Sequence, residues 1–385
     1  MGKDQPAREG ENEIATSLKT LAIIVNYKAS RLALGAVQSV LDSDSLGPVH
    51  VVVVDNSEDS AEAEALRSKL PSTTHLLVSR TNIGFGRACN RAFEQFPAEY
   101  ILLLNPDARL LPGCLERLQK TLSSSRRMGA VAPHVFWDDG CMFSLPPSYP
   151  PSLMLFAPVL ACWGPRAPIN VLLSGLWRRY SINVWRSHRP VGVKNLSGGL
   201  VLLKRETVLK SGGLFDPGFF LYFEDTDLFV RIRQAGYDLV IEPRAEAVHY
   251  YDQCGQREWR EKREHMAQSY RIFLEKHVHG WRSLARRLLN PFMNTGQPRD
   301  SQVIEPDFTS SFVLKVPASL AGGWLFEWSP NSDFIPSAGR FGEGSSMDFS
   351  PDCWALLAPG QYYGRLGKPT GVGTNSYVVS WLVER

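Results

Sequence analysis

The chain has 385 residues, of which 44% are hydrophobic and 21% charged, with a formal net charge of +3. That balance excludes an intrinsically disordered polypeptide, and the small positive charge gives no reason to expect a nucleic-acid partner. The length accommodates one α/β domain plus an additional module.

Residues 1–17 are polar and aperiodic, which predicts a disordered tail. Met1-Gly2 opens the chain, but Pro6 occupies the position where a myristoylation signal wants Ser or Thr. The six cysteines, Cys89, Cys114, Cys141, Cys162, Cys254 and Cys353, include no close pair and follow no signal sequence. Free thiols in a cytoplasmic, reducing compartment are therefore expected.

From Leu21 to Ser125 strand and helix signals alternate. Strands are predicted at Leu21 to Asn26, Val49 to Asp55, His75 to Ser79 and Tyr100 to Asn105. Helices are predicted near Ala33 to Asp42, Ala61 to Leu70, Gly86 to Phe96 and Pro112 to Ser124. The alternation predicts an α/β fold, Rossmann-like, with a mostly parallel sheet and helices on both faces. Ala130 to Phe136 and Gly199 to Lys204 extend the sheet, and a helix follows at about Asp225 to Ala235.

Polar residues gather where these strands end, which is where open α/β sheets bind ligands. Val51 to Val54 run into Asp55-Asn56-Ser57, so Asp55 is a candidate to accept hydrogen bonds from a base or ribose. Arg80-Thr81-Asn82-Ile83-Gly84 opens a helix whose free N–H groups favour anions, although an ordinary strand-to-helix turn reads the same way. Ile101 to Leu104 end in Asn105-Pro106-Asp107, and a carboxylate there suits a hard divalent cation shared with substrate phosphates. His249, after the strand-like Tyr237 to Ile241, is either a further ligand of that ion or a structural histidine.

Phe219-Phe220-Leu221-Tyr222-Phe223-Glu224-Asp225-Thr226-Asp227-Leu228 drives two adjacent carboxylates out of an aromatic run into a helix. Aromatic walls raise a carboxylate pKa, and first-turn N–H groups hold the ionised form, a combination that suits a general base. The plainer alternative is an N-terminal helix acid beside a core-facing aromatic stripe.

These stretches in this order resemble the family 2 inverting glycosyltransferases, and among them bacterial rhamnosyltransferases that act on lipid-linked glycans. The resemblance runs from Leu21 to about Leu289 and is carried by Asn105-Pro106-Asp107, Leu196-Ser197-Gly198-Gly199, and Phe220 to Leu228 followed by Arg231. It implies a GT-A fold over residues 18–295, with a nucleotide half of about 18–140 and an acceptor half of about 141–295. It implies Asp225 as base, Glu224 as its neighbour in the acceptor site, and Asn26, Asp55, Arg80, Asn82 and Gly84 near the nucleotide. Gly198 and Gly199 would lie beside donor sugar and acceptor, and Asp107 with His249 would hold Mg²⁺ or Mn²⁺. Asn105 stands where many relatives carry the first acid of an Asp-x-Asp motif, so it is assigned to the donor side. The implied donor is dTDP-β-L-rhamnose, with a UDP-sugar as the alternative, and the implied acceptor is a glycan or a polyprenyl-linked glycan. A non-catalytic glycan-binding protein on the same frame is the remaining alternative.

Between the halves, Cys141 to Lys194 contains prolines, the apolar run Leu153 to Leu160, Trp177-Arg178-Arg179 and Trp185-Arg186. The run is too short to span a bilayer. This stretch, with basic residues from Arg257 to Arg287 and with Trp259 and Trp281, reads either as a membrane-surface contact or as structural packing. The first alternative would make the protein peripheral on the inner face of the plasma membrane. Residues 305–385 read as a small all-β module, with runs at Phe312 to Val316, Trp324 to Trp328, Trp354 to Leu357 and Tyr377 to Val383. Trp324, Trp328, Trp354 and Trp381 in it are either core residues or sugar-stacking platforms.

Overall fold

A computed structural model describes residues 20–151, 168–251, 259–278, 307–370 and 377–384. The tail 1–17, the run Leu153 to Leu160, the cysteines Cys162 and Cys254, and the tryptophan Trp281 lie outside the described residues. The chain forms two compact units. The first comprises residues 1–133, 192–247 and 252–272; the second comprises 134–191, 248–251 and 273–385. The sequence-based division placed 141–191 with the catalytic domain, whereas here that stretch is grouped with the C-terminal strands.

The strands of the large sheet are β1 (Thr20–Asn26), β2 (Val49–Asp55), β3 (Thr74–Val78), β4 (Tyr100–Leu104), β5 (Ala108–Leu110), β6 (Met128–Phe136), β7 (Val191–Val193), β8 (Leu200–Lys204) and β9 (Asp238–His249). They form a nine-stranded sheet in the order β3-β2-β1-β4-β8-β6-β9-β5, with β7 paired to β9. The β3, β2, β1 and β4 strands are parallel. Strand β8 enters antiparallel between β4 and β6. Val51 to Val54 and Ile101 to Leu103 are wholly buried, the continuous apolar pattern of strands covered on both faces.

The crossovers run through α1 (Ser30–Leu41), α2 (Ser60–Lys69) and α3 (Phe85–Gln95), which link the first four strands, and α4 (Cys114–Ser123) follows the short β5. The parallel pairing brings the C-terminal ends of β1, β2 and β4 to one edge. Helices α6 (Arg205–Lys210) and α7 (Glu224–Gln234) follow β8, and the long helix α8 (Trp259–His277) follows β9.

The second unit contains α5 (Pro168–Trp185) and two small antiparallel sheets. One pairs β10 (Phe312–Lys315) with β13 (Ser346–Phe349); the other runs β12 (Ala338–Gly342), β11 (Trp324–Ser329), β14 (Gly360–Gly367), β15 (Tyr377–Val383). Trp324, Trp328 and Trp381 are 3%, 8% and 0% exposed and form its core with Trp137, Phe143 and Phe349. They are therefore core residues and not open sugar platforms. Of the run Trp354 to Leu357, expected as strand, the first three residues belong to a helix, α9 (Pro351–Leu356). Ser350 caps it by accepting from Cys353 N–H at 3.2 Å, and Pro351 supplies the preset φ of a first turn.

The membrane-surface reading of α5 is corrected for three of its four residues. Trp177, Arg178 and Trp185 are 2%, 4% and 8% exposed; Arg179 alone faces solvent. Arg178 Nε donates to Glu327 Oε2 at 2.6 Å and its Nη2 donates to the Lys368 carbonyl at 2.9 Å. Arg365 closes on the same carboxylate with two bonds of 2.8 Å, so both Glu327 oxygens are satisfied. Trp185 donates its indole N–H to the Leu145 carbonyl at 2.8 Å and packs on Leu325. A β-carbon at Gly339 would come within 2.5 Å of its ring. A buried charge triad and close indole packing hold α5 to the β module, a role that alternating Trp and Arg in sequence cannot distinguish from lipid contact.

Candidate active site

Strands β1 and β2 end in register, with Asn26 opposite Asp55. Asn26 Nδ2 lies 2.9 Å from Asp55 Oδ1, 3.1 Å from Ser57 Oγ and 3.1 Å from Glu62 Oε2. Asp55 Oδ1 also accepts from Ser57 Oγ at 2.6 Å, and Glu62 accepts from the Ser30 amide at 2.9 Å. Asp55, Ser79, Arg80 and Glu58 line one side of a cleft of about 420 Å³, with Arg80 exposed. Glu62 was not singled out from sequence. It stands three residues after the helix cap Asp59, where an acid reads as a capping partner, yet its carboxylate joins β1 to the start of α1.

Asn82 and Gly84 form the next turn. Asn56 Nδ2 donates to Asn82 Oδ1 at 2.7 Å, Asn56 Oδ1 accepts from Ile83 N–H at 3.0 Å, and Asn82 Oδ1 accepts from Gly84 N–H at 3.0 Å. Gly84 has φ of 83°, and a β-carbon on it would meet the Phe220 carbonyl oxygen at 2.5 Å. Only glycine fits there. The neighbouring Phe85 N–H donates to that carbonyl at 3.1 Å, so the turn that opens α3 is fastened to the aromatic run before α7.

The turn after β4 is fastened in the same way. Asn105 N–H donates to the Gly199 carbonyl at 2.7 Å, and Gly198 N–H donates to Asp225 Oδ2 at 3.0 Å. Two successive glycines thus tie Asn105-Pro106-Asp107 to the carboxylate at the start of α7. Asp225 Oδ1 accepts from the Thr226 amide at 2.6 Å. Asp225 is partly exposed, whereas Glu224 is 5% exposed and its Oε2 has no hydrogen-bond partner among the described residues.

The two carboxyls are therefore in different electrostatic states. Burial, and then repulsion from Asp225, push Glu224 up from 4.5 to about 8, so it is protonated at neutral pH. Burial also raises Asp225, but the Gly198 and Thr226 amides bind its charged form and oppose the rise. Burial, followed by the nearby Glu224, pushes the Cys89 thiol well up, which makes it inert. An accessible carboxylate with two amide donors beside a neutral partner is an arrangement able to take a proton from a hydroxyl.

The segment before α7 is held by side chains that sequence reasoning left out or did not explain. Arg231 Nη1 donates to the Ser211 and Gly213 carbonyls at 2.8 and 2.9 Å and Nη2 donates to Leu214 at 2.7 Å. Its Nε pairs with the fully buried Asp227 at 2.8 Å. Asn90 makes a two-way amide bridge to the Phe215 backbone, and Arg87 donates to the Pro217 carbonyl. Tyr222 and Phe223 then adopt φ of 68° and 66°. Such angles cost roughly 1–3 kcal/mol each for bulky residues and persist only where the surroundings enforce them.

Asp107 is 3% exposed and belongs to the first unit; His249 ends β9, is 8% exposed and belongs to the second. Among the described residues no group of three or more His, Cys, Asp or Glu could hold a metal ion. One oxygen donor fits a hard cation that draws its other ligands from a diphosphate and water. Among the described cysteines, Cys89, Cys114 and Cys353 are buried free thiols.

The model of the glycosyl transferase family 2 matches residues 21–150. The N-acetylglucosaminyl-diphospho-decaprenol L-rhamnosyltransferase of Mycobacterium tuberculosis, found in two strains, is 30% identical over 258 residues. The alignment covers 61% of this chain and 77% of that protein. The chain belongs to glycosyltransferase family 2. Among solved structures, the mannosyltransferase PcManGT of Pyrobaculum calidifontis, in complex with GDP-Man and Mn²⁺, is 17% identical with a TM-score of 0.42. That match covers 73% of this chain and 69% of that one. GalNAc-T7 with UDP, GalNAc and Mn²⁺ is 15% identical with a TM-score of 0.42, covering 72% and 55%. In this family 2 glycosyltransferase the antiparallel module lies outside the part that the family model covers. No helix among the described residues is long and apolar enough to cross a membrane.

Proposed function

We propose that this glycosyltransferase transfers L-rhamnose from dTDP-β-L-rhamnose, with inversion, to a hydroxyl of a lipid-linked glycan. The observation that carries the reading is the Gly198–Asp225 hydrogen bond at 3.0 Å, continued through Gly199 to Asn105. It aims one accessible carboxylate from the first turn of α7 at the same strand-end region that carries Asp107. The mycobacterial relative's name supplies the sugar and the acceptor class.

On this reading Asp225 accepts the proton of the acceptor hydroxyl as its oxygen attacks the anomeric carbon, and the single displacement inverts that carbon. The Gly198 and Thr226 amides favour the charged form of the base and oppose the rise that burial imposes on it. Glu224, neutral beside it, contributes a hydrogen-bond donor on the acceptor side without adding a second negative charge. Asn26 and Asp55 present polar groups to the nucleoside, and the Asn82–Gly84 turn offers backbone N–H groups to its phosphates. Asp107 would hold Mg²⁺ or Mn²⁺; when bound, such an ion neutralises charge on the departing diphosphate. Unbridged thiols and a nucleotide-sugar donor favour the cytoplasmic face of the membrane as the place of action.

The test is a donor panel of dTDP-β-L-rhamnose, UDP-glucose and UDP-N-acetylglucosamine with a short-chain polyprenyl diphosphate bearing N-acetylglucosamine. Transfer from the rhamnose donor with an α-linked product by NMR is expected. Transfer only from a UDP-sugar would replace the donor assignment. Binding of glycan with neither transfer nor donor hydrolysis would make the chain a non-catalytic binder.

A further inference from the structure

The carboxylates at the start of α7 are aimed by a backbone geometry that bulky residues resist. Tyr222 and Phe223, with φ of 68° and 66°, turn the chain into the helix immediately before Glu224. Three peptide planes in and beside this pair are held. The Phe220 carbonyl accepts from Phe85 N–H at 3.1 Å, and the Phe223 carbonyl accepts from Asp227 N–H at 2.9 Å. Between them, the Leu221 carbonyl accepts from the Ser269 hydroxyl at 2.8 Å.

Ser269 lies on α8 and is 2% exposed. A serine in a helix interior commonly turns its hydroxyl back to its own preceding turn; this one reaches across to a residue 48 positions earlier. Its helix flanks the strained run with two more contacts. His265 stacks on Phe220 at 4.4 Å between ring centroids, and Tyr270 packs on Phe223 at 5.4 Å.

The Leu221 carbonyl and the Tyr222 nitrogen share one peptide plane, so whatever holds that carbonyl limits rotation at Tyr222. We propose that Ser269 is a positioning residue for Asp225: by fixing the Leu221–Tyr222 peptide it maintains the left-handed pair and with it the line from α7 to Gly198. This rests on the reading of Asp225 as the base. Without the hydroxyl, the Leu221 carbonyl loses its partner and Tyr222 can relax toward negative φ, its ordinary region. The first turn of α7 then shifts, and Asp225 loses the Gly198 amide that favours its charged form.

The experiment compares Ser269→Ala, Ser269→Thr and Asp225→Asn in the full chain, with dTDP-β-L-rhamnose and the short-chain lipid-linked acceptor. Ser269→Ala is expected to lower kcat by at least tenfold, to leave the donor Kd within twofold, and to move the acid limb of the kcat–pH profile to higher pH. Ser269→Thr, which keeps the hydroxyl, should restore most of the rate and the parental limb. A lowered Tm with unchanged kcat and pH limb in Ser269→Ala would overturn the proposal and leave a merely structural serine. So would parental kcat in Ser269→Ala alongside an inactive Asp225→Asn. Full activity of Asp225→Asn would remove the base assignment and the proposal with it, a result that the Ser269 variants alone could not produce. Should Ser269→Ala aggregate, Tyr222→Pro carries the test, because its ring fixes φ near −65°. Loss of kcat with donor binding retained supports the proposal, and parental kcat refutes it.

Discussion

The Gly198 amide lies 3.0 Å from Asp225 Oδ2, and a β-carbon at Gly198 would stand 2.8 Å from the β-carbon of Asp225. The close approach that makes the hydrogen bond is the approach that excludes a side chain. Gly198→Ala should therefore push Asp225 out of line, with kcat down by about 10²-fold, the cost of a misplacement on the order of 1 Å. Donor affinity measured by calorimetry should change little.

Asp225→Asn keeps shape and volume but cannot accept a proton at neutral pH. Transfer should fall by about 10² to 10⁴ while nucleotide binding survives. Initial rates within threefold of the parent would shift the base role to Glu224.

Asp107→Ala should weaken donor binding when Mg²⁺ or Mn²⁺ is present and much less in EDTA, because the carboxylate acts through the ion. Titrations of dTDP-rhamnose with and without metal read this directly.

Glu224 is raised in the fold from 4.5 to about 8. The folded state therefore binds the proton more tightly than the unfolded chain. This group's stabilising contribution is complete below about 4.5, declines as pH rises, and is lost as pH passes through about 8. Glu224→Gln, permanently neutral, should flatten the fall of Tm between pH 5 and 9 by several degrees, an effect on the order of 1 kcal/mol or more. An equal slope in parent and variant would show that the carboxyl is not held neutral.

Arg178 and Arg365 together satisfy both oxygens of the wholly buried Glu327. Removing one cation leaves a buried charge short of its partner, so Arg178→Ala should destabilise the protein by roughly 3–5 kcal/mol in urea unfolding. A chain ended at Gln297 would also strip the strands from Arg178 and Trp185, and aggregation through that uncovered face is expected. Arg179→Ser, at an exposed position, should cost under about 0.5 kcal/mol.

The sequence by itself determined the alternation of strand and helix over the first 125 residues, because burial on both faces writes continuous apolar runs and crossover helices write a 3.6-residue period. It also determined that Asp55, Asp107 and the Glu224-Asp225 pair fall at element ends, since each polar group directly interrupts such a run. Tertiary structure alone decided what those groups meet. Gly198 reaches Asp225 only because β8 inserts antiparallel beside β4, a pairing between distant segments that no local period encodes. Glu62 and Ser269 read as a capping acid and a polar helix residue until Asn26 and the Leu221 carbonyl are brought against them. Trp177 and Arg178 carry the same chemistry at a lipid surface as in a core. It was the carboxylate of Glu327, 149 residues away, that drew Arg178 inside, because an interior charge is tolerated only with its partner in place.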